Sequence, residues 1–383
     1  MHVFFIQFDP DIDIIVPIVY KLVLNNKKIS IICINPQKDI YNDYRFQYLR
    51  NYSKLNILYL HQINLPLKLL SKVLFILAST LSETQVEKFY AFYMKNFLIG
   101  RWLNLFFKKN NVISVTVDEA IPNHALNIIQ CAKNSGILSV MLPTGALMFK
   151  QNKNELDDDS IFNIGFMTDY KIVSPKIDVS RLSHEVICFG VSRYCSEWQD
   201  VHSKIIGNLG DGYKFPATKG KLKVLIFSRP SIGLKKDSSL LSKISSEKNI
   251  LLIFKDKPRG VKDRNEMYDS YPSALLIQWA DVVIGSVSSI VLDILHYKKQ
   301  FIFLKYMSDE RVGELDNSSV CLVAKNEDMV MSYLSNIILN KRIYNYSNDK
   351  IKKYYDDIVY ESKSSFDVLG DYYKFYNSLN KTH

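Results

Sequence analysis

The sequence predicts an α/β chain of two successive parallel-sheet domains, closed by a helical C-terminal tail. Three observations predict it. Short apolar runs alternate with stretches of helical spacing, the signature of sheets with helices on their faces. A glycine-rich stretch, Gly207–Lys221, interrupts that alternation, which starts afresh at Leu222. Finally, Ile277–Tyr297 reads IQWADVVIGSVSSIVLDILHY, a buried-strand run, a Gly/Ser turn and a helix in succession. A chain of 383 residues is too long for one ordinary core, so two domains are expected on size alone.

In the first half, strands are expected at His2–Phe8, Lys28–Ile34, Leu55–Leu60, Val112–Val117, Leu138–Leu142, Tyr170–Val173 and Glu185–Phe189. Asp9-Pro10-Asp11 reads as a turn before a helix over Ile14–Leu24. A helix over Pro122–Ser135 should stop at Gly136. Leu65–Leu81 is hydrophobic, but Lys68 and Lys72 interrupt it, and it falls short of the ~20 clean apolar residues a membrane span needs. Phe89–Lys109 mixes aromatic and aliphatic residues with Lys95, Arg101, Lys108 and Lys109. Such a helix can lie in an anionic bilayer surface or pack into a core. Residues 151–160 are polar and acidic, as a surface loop is.

In the second half, strands are expected at Leu222–Phe227, Asn249–Phe254, Val282–Ile284, Gln300–Leu304 and Ser319–Val323, with helices in the tail around Tyr354–Val359 and Phe366–Phe375. The expected boundaries are 1–206 for the first domain, 207–221 for the linker, 222–343 for the second domain and 344–383 for the tail.

The formal charge of +10 admits nucleotides, anionic lipid or nucleic acid as partners, but no nucleic-acid recognition motif is present. The five cysteines are scattered without a CxxC pair, which implies reduced thiols in a cytoplasmic chain and no zinc site. The first residues lack the basic start and cleavage site of a signal peptide.

Ligands of parallel sheets sit beyond the carboxyl ends of the strands, so the candidate residues are those at strand exits. In the second domain these are Gly285, Ser286, Ser288 and Ser289, with Arg229, Lys255 and Lys257 from neighbouring exits. A small-residue turn presents N–H groups and hydroxyls to a phosphate, and cations opposite it add charge. Ser286 or Ser288 would also serve as a plain helix cap. In the first domain the candidates are Asp118 and Glu119, which end the run VISVTV. Asp9, Asp11 and Asp13 cluster at another exit, where turn and first-turn helix roles compete with function.

The segment ADVVIGSVSSIVLDILHYKKQFIFL resembles one in bacterial surface-polysaccharide transferases, where an acidic residue and a hydrophobic strand precede a Ser-Ser turn and a helix. Teichoic-acid (CDP-glycerol) glycerophosphotransferases and the Kdo and sialic-acid transferases share that pattern. The resemblance implies the GT-B architecture: two Rossmann-like domains facing across a cleft. In that group a strand ending in Lys-x-His-Pro supplies a phosphate-proximal histidine. Here Lys255-Asp256-Lys257-Pro258 puts Lys257 in its place. DEAIPNHALNIIQCAKNSGILSVMLPTGA resembles a strand–helix–strand unit that often ends in His-Gly, and here it ends in Thr144-Gly145. The resemblance gives Asp118 the role of base or nucleophile.

The function expected from this reading is transfer of a sugar from a nucleotide-activated donor, such as a CMP-sugar, to a lipopolysaccharide or capsule acceptor. No metal and no cofactor take part, and the enzyme would be cytoplasmic or peripheral on the inner membrane. Three alternatives stay open: a CDP-polyol phosphotransferase, a nucleotide-sugar 2-epimerase, and a non-catalytic protein that binds a glycan.

Overall fold

The computed structural model describes residues 1–7, 9–35, 39–63, 85, 99–118, 122–143, 168–173, 186–218, 220–228, 238–255, 267–308, 315, 319–340, 346–360 and 366–379. It divides into two compact units. The first takes the described residues up to Val201 together with those from Tyr360 onward, and the second takes His202–Val359.

The sheet of the first unit holds β1 (His2–Ile6), β2 (Ile29–Cys33), β3 (Leu55–Tyr59), β4 (Ser114–Asp118), β5 (Leu138–Leu142), β6 (Tyr170–Val173) and β7 (Val186–Cys188). They lie in the order β3-β2-β1-β4-β5-β6-β7, every pair parallel. Strands β1, β2 and β4 are buried at every position, as expected where helices cover both faces. The strand order reverses between β1 and β4, which makes their carboxyl ends the switch point of this sheet.

The helices are α1 (Asp9–Leu24), α2 (Tyr44–Leu49), α3 (Leu60–Ile63), α4 (Ile99–Lys109) and α5 (Pro122–Asn134). The sequence reading starts α1 five residues late. Asp9-Pro10-Asp11 is its first turn, because proline tolerates that position and acids favour the positive helix end. Helix α5 stops where expected: Gly136 has φ +67°, and Ile137 N–H bonds back to the Ala132 carbonyl at 2.9 Å.

Helix α4 gives its apolar face to the core. Leu103 and Phe107 are buried beside Val115, Val117, Ile128 and Met141, and Phe106 packs at the margin. On its outer side Leu105 is 53% exposed, with Lys108 and Lys109. The rest of the aromatic stretch, with Phe97 and Leu98, lies outside the described residues, as does the hydrophobic run 65–81. No helix of the described residues is long and apolar enough to cross a membrane.

Helix α6 (Ser196–Leu209) carries the chain from the first unit to the second, and its last residues take up the start of the glycine-rich stretch. The second sheet holds β8 (Leu222–Phe227), β9 (Ile250–Lys255), β10 (Val282–Gly285), β11 (Gln300–Leu304) and β12 (Leu322–Ala324), all parallel, in the order β9-β8-β10-β11-β12. Its switch point is therefore between β8 and β10. Helices α7 (Ser239–Ser246), α8 (Ser273–Trp279), α9 (Ile290–His296), α10 (Glu327–Asn340) and α11 (Asn348–Val359) belong to this unit. Helices α7 and α10 close one core with Val224, Ile226, Val282, Ile284 and Ile302.

Helix α12 (Val368–Ser378) belongs to the first unit. The Tyr376 hydroxyl lies 2.9 Å from Thr116 Oγ1 on β4, and its ring meets Phe4 at 5.3 Å and His2 at 5.4 Å. Tyr372 packs on Phe189 at 4.9 Å and Phe375 on Tyr170 at 5.3 Å. The two parallel sheets, their flanking helices and the C-terminal helices agree with the expected fold class.

Candidate functional site

The organising segment folds as its residue types dictate. Val282, Val283 and Ile284 form a fully buried strand that Gly285 ends, and Asp281 sets its start. The Asp281 Oδ2 accepts the Lys223 N–H at 3.0 Å, and the Lys223 ammonium lies 3.2 Å from the other carboxylate oxygen. That pair fixes β10 against β8 in the register Val282–Val224, Val283–Leu225 and Ile284–Ile226.

Continued by two residues, this register sets Ser286 level with Ser228. Both are buried, at 6% and 1% exposure. The aliphatic columns Val224–Ile226 and Val282–Ile284 therefore both turn to serine at the same level, beyond the strands that flank the switch point. Neighbouring strands are about 4.8 Å apart, so this register brings the two serines side by side at the carboxyl ends of β8 and β10. The Ser228 N–H donates to the Lys255 carbonyl at 2.9 Å, which ties the site to β9.

Ser288 and Ser289 follow in the same turn. Ser289 precedes α9 in a helical conformation, φ −55° and ψ −18°, and its side chain makes no capping hydrogen bond. The first turn is closed through the main chain, by Val291 N–H to the Ser288 carbonyl at 3.0 Å and Leu292 N–H to the Ser289 carbonyl at 3.1 Å. The Ser289 hydroxyl is thus not spent as a cap of α9.

Of the expected cations, Arg229 and Lys257 lie outside the described residues. Lys255 ends β9, is 4% exposed, and gives its ammonium to the carbonyls of Asp269, at 3.3 Å, and Tyr271.

In the first unit, Asp118 ends β4 at the switch point and is 1% exposed. The pairing His2–Ser114 through Phe4–Thr116, continued by two residues, puts Asp118 level with Ile6 at the end of β1. Glu119 lies outside the described residues, as do Thr144 and Gly145.

The aspartates after β1 have separate tasks. The Asp11 carboxylate accepts the Gln7 N–H at 2.7 Å and so fixes the turn from β1 into α1. Asp13 joins an ionic chain at the same edge of the sheet. Its two oxygens pair with Arg45 and with Arg193, and Arg45 also pairs with Asp43 at 2.6 Å. The Asp9 side chain lies outside the described residues. Among the described residues no cluster of His, Cys, Asp or Glu could hold a metal ion.

Sequence reasoning named Ser228 only as part of an exit loop. Its place beside Ser286 depends on β8 and β10 being neighbours, although β9 lies between them in sequence. The recoverable signal is the shared pattern, an aliphatic column that ends in serine in both LKVLIFS and VVIGS.

No family profile and no curated protein sequence matches the chain. Solved structures do. A UDP-GlcNAc 2-epimerase from Methanocaldococcus jannaschii superposes with a TM-score of 0.57 at 12% identity, covering 100% of both chains. A UDP-GlcNAc 2-epimerase from Neisseria meningitidis, bound to UDP-GlcNAc, gives 0.56 at 11% identity, again over 100% of both chains. The glycosyltransferase SnogD from Streptomyces nogalater gives 0.52 at 10% identity over 99% of each. At these identities the likeness is one of fold, and the fold is the two-domain GT-B type.

Proposed function

We propose that this chain is an enzyme acting on a nucleotide-activated sugar, with the nucleotide held by the second unit at the β8/β10 switch point. The observation that carries the reading is the paired Ser228 and Ser286 at that point, followed by the Ser288-Ser289 turn. Open α/β sheets bind ligands there, and hydroxyls with small-residue backbone suit a diphosphate. Gly285 lets the main chain approach, and Arg229 and Lys257, which follow the ends of β8 and β9 in sequence, supply charge. Asp118, at the switch point of the other sheet, is the general base, with Glu119 beside it in sequence.

The reaction we favour is inversion at C2 of the sugar, as a nucleotide-sugar 2-epimerase performs. The similar solved structures include several such epimerases. Inversion at C2 takes a proton from one face of the sugar and returns one to the other, so it needs acid–base groups, of which Asp118 would be the base. Sugar transfer to a surface glycan is the second reading, supported by likeness to glycosyltransferases such as SnogD. A lipid-linked acceptor and an anionic inner-membrane surface belong to that reading, and the exposed Lys108, Lys109 and Leu105 are what support it. Neither reading calls on a metal or cofactor.

The experiment is incubation with UDP-GlcNAc in deuterated water, followed by NMR. Deuterium at C2 and appearance of the C2 epimer support epimerisation. Release of free nucleotide, only when a glycan acceptor is added, supports transfer. The same assay with CMP-, CDP- and GDP-linked donors covers the other nucleotides, and release of CMP from a CDP-polyol would move the reading to phosphoryl transfer. Binding without turnover of any donor would mark a non-catalytic protein.

Two variants locate the site. Asp118→Asn should remove most turnover and leave donor affinity within about tenfold. Ser288→Ala with Ser289→Ala should weaken nucleotide binding by about 1.5–3 kcal/mol per lost hydrogen bond to a charged group. Unchanged affinity in that double variant would remove the nucleotide from this turn.

A further inference from the structure

Lys255 faces two ways. Its carbonyl holds the N–H of Ser228, one member of the serine pair. Its buried ammonium donates to the carbonyls of Asp269 and Tyr271, and a buried charge is tolerated only with such partners. Tyr271 carries the connection on. Its ring is buried, and its hydroxyl accepts the Lys214 N–H at 3.2 Å and donates to the Lys214 carbonyl at 3.1 Å. Tyr213 and Phe215, on either side of Lys214, pack edge-on against the Tyr271 ring at 4.6 and 5.7 Å. Phe215 also stacks on Trp279 at 5.7 Å. One set of contacts thus runs from the end of β8, through the end of β9, to residues 213–215, which lead into β8.

We propose that Lys255 is a positioning residue of the nucleotide site. It holds the ends of β8 and β9 against residues 213–215 through Tyr271, and it does not touch the bound nucleotide. This rests on the reading of the β8/β10 switch point as that site. Two of the three ammonium donors are committed to main-chain carbonyls. A phosphate that drew the ammonium out of this position would leave those carbonyls buried without it, which is a poor exchange. The effect of Lys255 on binding is therefore exerted through Ser228 and is indifferent to the charge of the ligand.

The test compares Lys255→Met and Tyr271→Phe with the unaltered protein, by calorimetric titration with UDP and with uridine and by hydrogen exchange of the Lys214 and Ser228 amides. Lys255→Met should weaken UDP and uridine by the same factor, about tenfold, and speed exchange at both amides. Tyr271→Phe, which removes no charge, should weaken both ligands in the same direction by a smaller factor. Loss of UDP affinity with uridine affinity intact would make Lys255 a phosphate ligand and overturn the proposal. Unchanged affinities beside a lowered melting temperature would reduce it to a structural residue and overturn the proposal as well. If the unaltered protein binds neither ligand, the nucleotide reading fails by itself. Exchange then decides the coupling: acceleration at Lys214 and Ser228 in Lys255→Met supports it, and unchanged rates overturn it. Should Lys255→Met not fold, Tyr271→Phe carries both measurements.

Discussion

His2 shows how a single buried group sets a pH limit. It opens β1, is 2% exposed, and lies 2.8 Å from Ser114 Oγ through Nδ1. Burial, then the nearby amino terminus and Lys27, push its pKa down to about 3. The unfolded chain takes up this proton near pH 6.5, while the folded protein resists it until near pH 3. Stability is therefore fully kept above about pH 6.5 and lost as the pH falls below it, by up to about 1.4 kcal/mol per pH unit. Urea unfolding between about pH 7 and about pH 5 should show that slope, and His2→Gln should flatten it. An equal slope in the variant would assign the acid sensitivity to other groups. Single residues were also where the sequence was least legible. Asp118 could be singled out because a strand-end acid is a local feature. The serine pair and the fastening of Lys255 could not, because each depends on neighbours brought in from distant parts of the chain.

Elements were legible where burial leaves a continuous apolar run. All the expected strands form, most within a residue or two of the expected ends, because a strand covered on both faces has few alternatives. Helix starts were less legible, because capping decides them and hydrophobic spacing does not. Phe366 suggested the start of α12, yet the helix begins at Val368 behind Asp367, whose Oδ1 accepts the Gly370 N–H at 3.0 Å. Asp367→Ala should cost about 1 kcal/mol. Gly370→Ala is more telling. Alanine improves helix propensity by up to about 1 kcal/mol, but a Cβ at Gly370 would sit 1.9 Å from Asp367 Oδ2 and drive the cap out. We expect net destabilisation in chemical denaturation, and a stabilised Gly370→Ala would contradict the cap geometry.

For the whole molecule, the sequence announced two α/β units but not how the chain is shared between them. Sequence order suggested a separate tail, whereas contacts place α11 with the second unit and α12 with the first. The cause is complementary surface: β1 and β4 present Phe4 and Thr116 to Tyr376, and Phe189 meets Tyr372. Removing residues 360–383 should strip several large buried side chains from the first unit, each worth about 1.5–3 kcal/mol. Their sum is comparable to the roughly 5–15 kcal/mol that holds a typical domain together. Limited proteolysis of the truncated chain should cut the first unit and spare the second. Equal resistance of both would mean that α12 is dispensable.

That return of α12 also dictates a timetable for biosynthesis. Translation proceeds from the amino terminus at about 5–20 residues per second, so a domain whose parts are contiguous can mature while the ribosome is still working. The first unit cannot, because the helix that covers Phe4 and Phe189 is encoded after the whole of the second unit. The described residues of the second unit, which fall within His202–Val359, are all made before α12. Until α12 emerges, the nascent first sheet carries an uncovered apolar face, which is the kind of surface that chaperones bind.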